Sequence, residues 1–175
     1  MAAGSSRRFG GNKLLTDWQG KPLIAYALEA VPAGVETVVV SQYPEILSLA
    51  GERGFLPREN DRPQDGISRT IRLGLEALGD CDGVLFLVAD QPRLHRETVE
   101  RLLDLWRAHP QAIVGLTANG HQGNPILFPA GLFPELLALE GDTGGRQVIR
   151  RHPDRLLLLE ASEEELEDID FPPVL

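Results

Sequence analysis

The sequence predicts an open, three-layer α/β fold with a mostly parallel central sheet and helices on both faces. Short runs of β-branched residues and leucine alternate with longer segments whose apolar residues recur at helical spacing. The strongest run, residues 83–89, is almost wholly apolar, as expected of a strand that is buried on both sides. The chain of 175 residues, 42% of them hydrophobic, suits one domain that spans residues 1–175.

The predicted strands are short apolar segments between polar turns. They cover residues 37–40, 55–56, 83–89, 112–116, 125–128 and 155–160. The pair Asn119-Gly120 predicts a tight turn before the strand at 125–128. Residues 37–40 read Thr-Val-Val-Val, with no polar residue between the valines, so helices are expected on both sides of this strand.

The predicted helices fill the intervals between these strands. They cover residues 21–31, 44–53, 67–78, 97–109, 132–139 and 146–151. Pro22 and Pro44 suit the first turn of a helix, and Gly54 suits the end of one. Ser162 followed by Glu165 has the spacing of a capping box, which predicts a short acidic helix.

Composition excludes several classes of function. A formal net charge of −9 argues against nucleic acid as the main partner. No apolar run of about 18 residues predicts a membrane span, and no signal peptide is apparent, so a cytoplasmic location is expected. The single cysteine, Cys81, excludes an internal disulfide.

The segment 2–13 carries the clearest functional signal. It combines three glycines, two serines and three cations without an acid. Glycines allow several backbone N–H groups to point into one concavity, and Arg8 and Lys13 bring positive charge to it. Such a loop is suited to a phosphate chain, although a cationic, flexible chain end is the alternative interpretation.

The spacing A-A-G-x-S-x-R-x-G-x-x-K, followed by Gly20-Lys21-Pro22-Leu23, resembles the signature of the MobA/MocA-like nucleotidyltransferases. The Ala-Ala-Gly opening is most similar to the MocA branch, the molybdenum cofactor cytidylyltransferases. This resemblance implies a Rossmann-like, three-layer nucleotidyltransferase fold that uses Mg²⁺ to transfer CMP from CTP to the phosphate of molybdopterin. Family members place an apolar strand before this opening, so the first strand is expected to be truncated here.

The resemblance also implies a set of nucleotide-binding residues. Arg8 and Lys13 would act in catalysis by holding the β- and γ-phosphates. The residues expected to contact the nucleotide are Ala2, Ala3, Gly4, Ser5, Ser6, Asn60, Gly66, Ser68 and Thr70. Ala2 and Ala3 would leave room for a pyrimidine. Ser68 and Thr70 also suit the start of a helix, and both roles are compatible.

Asp90 is the predicted metal ligand. It follows the apolar run 83–89, so its carboxylate should lie beyond the carboxyl end of the sheet, where such folds bind ligands. Mg²⁺ prefers one or two carboxylates together with substrate phosphates. The run Ala89-Asp90-Gln91-Pro92 resembles the family's metal-binding A-D-x-P segment, whereas a helix cap is the alternative role. The run Asp168-Ile169-Asp170 resembles the family's C-terminal D-I-D-T-P segment, which implies a second metal contact at Asp170, whereas a solvated acidic tail is the alternative.

Two further segments resemble the family's acceptor-binding motifs. They contribute Gly123, Asn124, Pro125, Asp142, Gly144 and Arg146. Arg146 would meet the phosphate of the pterin acceptor. Gly145 stands where the family usually has alanine. Turn chemistry with an exposed arginine is the alternative interpretation of both segments.

Two other functions remain open from the sequence. One is a related cytidylyl- or nucleotidyltransferase that acts on a sugar or polyol phosphate. The other is a non-catalytic accessory protein that carries molybdenum cofactor to a molybdoenzyme or its chaperone. The combination of Arg8, Lys13 and Asp90 favours an enzyme, because a carrier needs no cation to stabilise a leaving group.

Overall fold

The computed structural model describes residues 12–169. A two-residue hairpin opens this part of the chain, with β1 at Asp17–Trp18 antiparallel to β2 at Lys21–Pro22. Gln19 and Gly20 both have positive φ, which suits the turn that joins such strands. Helix α1 therefore spans Leu23–Glu29, and the predicted start at residue 21 was wrong because Lys21 and Pro22 are extended.

A parallel pair of strands follows. Strand β3 spans Val38–Ser41, helix α2 spans Pro44–Glu52, and β4 spans Leu56–Glu59. The register pairs Val38 with Leu56 and Ser41 with Glu59. Proline begins α2, and Gly54, with φ of 79°, lies just beyond its end, as predicted. Strand β4 is longer than predicted.

A second sheet has four strands. They are β5 at Gly83–Phe86, β6 at Ile113–Ala118, β7 at His121–Pro129 and β8 at Leu156–Glu160, arranged in the order β5-β7-β6-β8. Strand β7 is antiparallel to both neighbours, and β8 is parallel to β6. Three of the four strands therefore run in the same direction, and the Asn119-Gly120 turn reverses the fourth.

Strand β5 ends three residues earlier than predicted. Its register pairs Phe86 with Ile126, so the next position would oppose Pro125. Proline has no backbone N–H to donate to a ladder, and the pairing stops there. Residues 87–89 continue towards Asp90 without strand pairing to any described residue.

Helices cover both faces of this sheet. Helix α4 spans Arg96–Ala108, and on the opposite face lie α3 at Ile67–Leu78, α5 at Phe133–Leu137 and α6 at Arg146–Arg151. Neighbouring residues of β7 belong to separate hydrophobic clusters: Phe128 packs in the cluster with α3, whereas Leu127 packs in the cluster with α4. This arrangement confirms the predicted α/β class with helices on both faces.

A cavity of about 490 Å³ lies between β3 and β5. Each of these strands has a described partner on one side only, β4 and β7 respectively. The predicted truncated first strand lies outside the described residues. Within residues 12–169, no helix combines the length and apolar character that a bilayer span requires.

Candidate active site

Lys13 and Asp90 are in direct contact. The Lys13 ammonium donates a hydrogen bond to Asp90 Oδ2 at 2.8 Å and another to the backbone carbonyl of Ile169 at 3.1 Å. The two side chains are 18% and 25% exposed, so the pair is accessible and yet partly shielded. The fold thus joins the cation of the glycine-rich segment to the carboxylate beyond β5, as the predicted roles require.

A short turn positions Lys13. Residues Lys13–Leu15 form a 3₁₀ turn, and Asn12 caps it by accepting a hydrogen bond from the Leu14 N–H at 3.1 Å. The buried Nδ2 of Asn12 has no hydrogen-bond partner among the described residues. A donor without a partner in residues 12–169, placed beside a cation, fits an anionic ligand such as a phosphate chain.

The segment 165–169, here named the C-terminal strap, passes over Asp90. The Ile169 N–H donates to the Asp90 carbonyl at 2.9 Å. The Gln91 amide donates to Asp168 Oδ1 at 2.9 Å and to the Leu166 carbonyl at 3.1 Å. Residues that are far apart in the chain therefore meet at one end of the sheet.

Glu165 fastens the start of the strap. Its buried carboxylate accepts hydrogen bonds from the Thr98 hydroxyl at 2.5 Å and the His95 N–H at 3.3 Å, at the beginning of α4. It also closes the predicted capping box with Ser162. Burial raises the pKa of Glu165, but these hydrogen bonds together outweigh burial and hold the pKa below its ordinary value.

The predicted nucleotide segment folds around Asn60. This side chain is 1% exposed, donates to the Thr70 hydroxyl at 3.3 Å and accepts from the Arg62 N–H at 3.2 Å. Ser68 is also buried. The geometry favours a structural role for these side chains, in which they hold the loop that the resemblance assigns to the nucleotide.

Gly66 joins this loop to the predicted acceptor loop. Its φ is +83°, and a side chain there would overlap the carbonyl group of Gly141. The Ser68 N–H donates to the same carbonyl at 3.2 Å. The two loops are therefore packed against each other, with Asp142 and Arg146 exposed and Gly144 partly exposed.

The other acceptor segment lies against the strap. A Cβ on Gly123 would come within 2.9 Å of Leu166 Cδ1, so the strap packs directly on this glycine. Asn124 is partly exposed, and the bond between Asn124 and Pro125 is a cis peptide. The remaining predicted site residues lie outside the described residues: Ala2, Ala3, Gly4, Ser5, Ser6, Arg8 and Asp170.

The cavity between β3 and β5 does not coincide with this site. Its described walls include Thr70 and Ala89, which neighbour the predicted site in the chain, but neither Lys13 nor Asp90. The polar contacts around Asp90 therefore identify the candidate site better than cavity volume does.

Residues 1–156 match the family described as MobA-like NTP transferase domain. The chain belongs to this family. It is accordingly a nucleotidyltransferase, and the family predicted from the glycine-rich segment is confirmed.

Relatives of this MobA-like chain carry two kinds of name. The purine catabolism protein PucB of Bacillus subtilis (strain 168) is 30% identical over 188 residues, which cover 98% of this chain and 90% of PucB. The molybdenum cofactor guanylyltransferase of Pseudomonas aeruginosa (strain LESB58) is 29% identical over 180 residues, covering 100% of this chain and 90% of that enzyme. A probable molybdenum cofactor guanylyltransferase of B. subtilis (strain 168) is 33% identical over 143 residues, which cover 78% of this chain and 68% of that protein.

Solved structures share the fold of this MobA-like chain. Rv0371c from Mycobacterium tuberculosis H37Rv superposes with a TM-score of 0.79 at 21% identity, covering 97% of this chain and 89% of that one. A nucleotidyl transferase from Methanothermobacter, Mth528, superposes with a TM-score of 0.79 at 24% identity, and the match covers 97% of this chain and 88% of that one. At these identities the likeness establishes the fold alone.

The donor set around Asp90 fits a hard cation such as Mg²⁺. Asp90 supplies a carboxylate there, and Gln91, which follows it in the chain, donates to the carboxylate of Asp168. The residues that the structure describes contain no group of three or more histidine, cysteine or acidic side chains suited to a metal ion. A cation that takes one or two carboxylates and completes its shell with phosphates and water needs no such group.

Sequence reasoning assigned no role to Gln91 or Asp168 and only a capping role to Glu165, yet all three residues hold the C-terminal strap of this MobA-like chain. Gln91 occupied the variable position of the A-D-x-P segment, and its partners lie 75 and 77 residues further along the chain. The capping-box spacing located Glu165 correctly, but its second function, bonding to α4, depends on tertiary packing.

Proposed function

We propose that this chain is a molybdenum cofactor cytidylyltransferase, which transfers CMP from CTP to the phosphate of molybdopterin and releases pyrophosphate. The contact between Lys13 and Asp90 carries the proposal, because it joins a cation suited to phosphates with a carboxylate suited to a metal. The Ala-Ala-Gly opening supports CTP as the substrate. Relatives named guanylyltransferase support GTP as the competing choice.

In this proposal the chain positions substrates and stabilises charge. Lys13 and Arg8 hold the β- and γ-phosphates and offset charge on the leaving pyrophosphate. An acceptor phosphate oxygen attacks the α-phosphorus in line, and a P–O bond forms as the bond to pyrophosphate breaks. Asp90 and Asp170 would hold Mg²⁺, which when bound neutralises charge on the phosphates.

In this proposal Lys13 and Asp90 exchange partners when the substrate binds. Each charged group is compensated by the other, and Lys13 has a second acceptor on Ile169. When the triphosphate binds, Lys13 exchanges the carboxylate for phosphate oxygens, and Asp90 becomes available to a cation. This exchange keeps both groups paired before and after binding, so neither is left as an uncompensated, partly buried charge.

The remaining predicted residues divide between the two substrates. The loop held by Asn60, with Ser68 and Thr70 behind it, would face the nucleotide. The loop that precedes Arg146 would face the acceptor, with the exposed Arg146 guanidinium meeting the phosphate of the pterin. The packing of Gly66 on Gly141 would couple the positions of the two loops.

Pyrophosphate release tests the proposal. The full chain is incubated with MgCl₂, molybdopterin and one of CTP, GTP, ATP or UTP. We expect CTP to be preferred by about tenfold or more in kcat/KM. A preference for GTP would assign the chain to the guanylyltransferases, and turnover of CTP with only a polyol phosphate would replace the acceptor. Tight CTP binding without pyrophosphate release would favour a carrier for a molybdoenzyme.

A further inference from the structure

We propose that Gln91 is a positioning residue that fastens the C-terminal strap to the predicted catalytic pair, Lys13 and Asp90. The fastening itself follows from the described contacts. Its effect on turnover rests on the proposed function, because that function assigns the reaction to Lys13 and Asp90.

The orientation of the Gln91 amide is set by its neighbours. Both nearby groups on the strap, the Leu166 carbonyl and the Asp168 carboxylate, can only accept hydrogen bonds, so the Nε2 atom must face them. The residue is 2% exposed, which shields these bonds from water. The other amide atom, Oε1, is buried without a partner among the described residues, so none of them competes with the strap for this amide.

The strap in turn completes the surroundings of the predicted catalytic pair. The Ile169 N–H donates to the Asp90 carbonyl at 2.9 Å, and the Ile169 carbonyl accepts from Lys13 at 3.1 Å. Release of residues 166–168 would weaken both contacts, because Ile169 is the next residue along the chain. Lys13 would then lose one of the acceptors that fix its ammonium.

Other contacts also hold the strap, including the packing of Leu166 on Gly123. Arg93 pairs with Glu167, but these side chains are 38% and 58% exposed, so water and salt weaken the pair. Glu165 is bound firmly to α4, but it lies four residues before Ile169. Gln91 makes the buried contact that lies nearest to Asp90 in the sequence. A substitution of Gln91 should therefore alter the position of the strap beside Lys13.

Hydrogen exchange of the strap tests the fastening without reference to activity. Gln91→Leu removes both donated bonds and retains most of the side-chain volume. We expect exchange in the peptide 165–169 of the full chain to increase roughly tenfold or more. The amides of β6 should not change, and the control Arg93→Gln should leave strap exchange within about twofold of wild type.

A second variant covers the case in which Gln91→Leu perturbs folding. Asp168→Ala removes one of the two acceptors of the Gln91 amide. Because Asp168 is exposed, this variant leaves the core untouched, and it should also increase strap exchange. Unchanged strap exchange in both variants would overturn the fastening.

Turnover tests the positioning role. With saturating MgCl₂, Gln91→Leu should lower kcat roughly tenfold and change the KM for CTP much less, because Gln91 orients Lys13 and Asp90. Increased strap exchange with wild-type kcat would overturn the positioning role. If the wild-type chain showed no nucleotidyl transfer, the proposed function would be refuted. The hydrogen-exchange comparison would still show whether Gln91 fastens the strap.

Discussion

Gly145 lies directly beneath the ring of Phe128. A Cβ at this position would come within 2.7 Å of Phe128 Cζ, which is closer than side chains pack. Phe128 is 1% exposed and belongs to the hydrophobic cluster between β7 and α3, so the ring has no free space to enter. The departure from the family's usual alanine therefore has a local cause in the volume of Phe128.

Gly145→Ala should destabilise the protein by about 1–3 kcal/mol, because the added methyl group must displace a packed ring. Urea unfolding followed by circular dichroism measures the change. Gly144→Ala is a matched control, since its Cβ would make ordinary contacts with Ile67 at 3.7 Å, and its effect should stay within about 0.5 kcal/mol. Equal effects at both positions would contradict the role of Phe128.

Lys13→Ala should lower kcat on the order of 10²-fold or more, because a positioned cation that offsets leaving-group charge is lost. Pyrophosphate release with the preferred nucleotide measures the loss. Arg107→Ala, which removes a cation from an exposed pair with Asp104, should leave kcat near the wild-type value. Wild-type turnover in Lys13→Ala would show that this lysine has no catalytic role.

Single residues were predictable where the local pattern dictated them. Lys13 and Asp90 were singled out from the segments around them, and the structure places their side chains in contact, while their catalytic roles stay predictions. Gln91 was not assigned a role, because a glutamine at a variable position acquires meaning only from partners that the fold brings to it.

At the scale of elements, helices bounded by glycine or by a change in polarity were predicted well. Helix α3 spans Ile67–Leu78, as expected from its apolar stripe, and α6 spans Arg146–Arg151, as expected from the glycine-containing loop before it. The start of α1 was missed because Gln19-Gly20 forms a hairpin that the helical pattern concealed. The end of β5 was missed because it depends on Pro125 in a partner strand.

Gly74 lies within α3 and faces the cavity between β3 and β5. A Cβ there would meet Val40 Cγ2 at 3.7 Å, an ordinary contact. Gly74→Ala should therefore stabilise the protein by about 0.5–1 kcal/mol through helix propensity, as thermal and urea unfolding would show. Gly66→Ala, at the start of the same helix, should destabilise it because of the Gly141 backbone. Destabilisation by Gly74→Ala would contradict this account.

At the scale of the whole molecule, the order of elements along the chain predicted the α/β class and the helices on both faces. The order β5-β7-β6-β8 and the separate pairing of β3 with β4 were not predicted, because strand neighbours depend on crossover connections that local periodicity does not encode. Residues of the candidate site that lie in the described part of the chain were recognised chiefly through motif spacing.

Glu165 couples the stability of the fold to pH. Its pKa is lower in the folded chain than in the unfolded chain, so its stabilising contribution is present above the ordinary value of 4.5 and is lost as the pH falls through the folded value. Glu165→Gln should reduce the free energy of unfolding at pH 7, and the difference from wild type should shrink below pH 4.5. A difference that is independent of pH would contradict this assignment.

The bond between Lys13 and the Ile169 carbonyl joins positions 156 residues apart. Every strand of the described sheets ends by residue 160, whereas this acceptor lies beyond them in the chain. Assembly of the sheets therefore does not by itself complete the surroundings of Lys13 and Asp90, which also require the docking of residues 165–169.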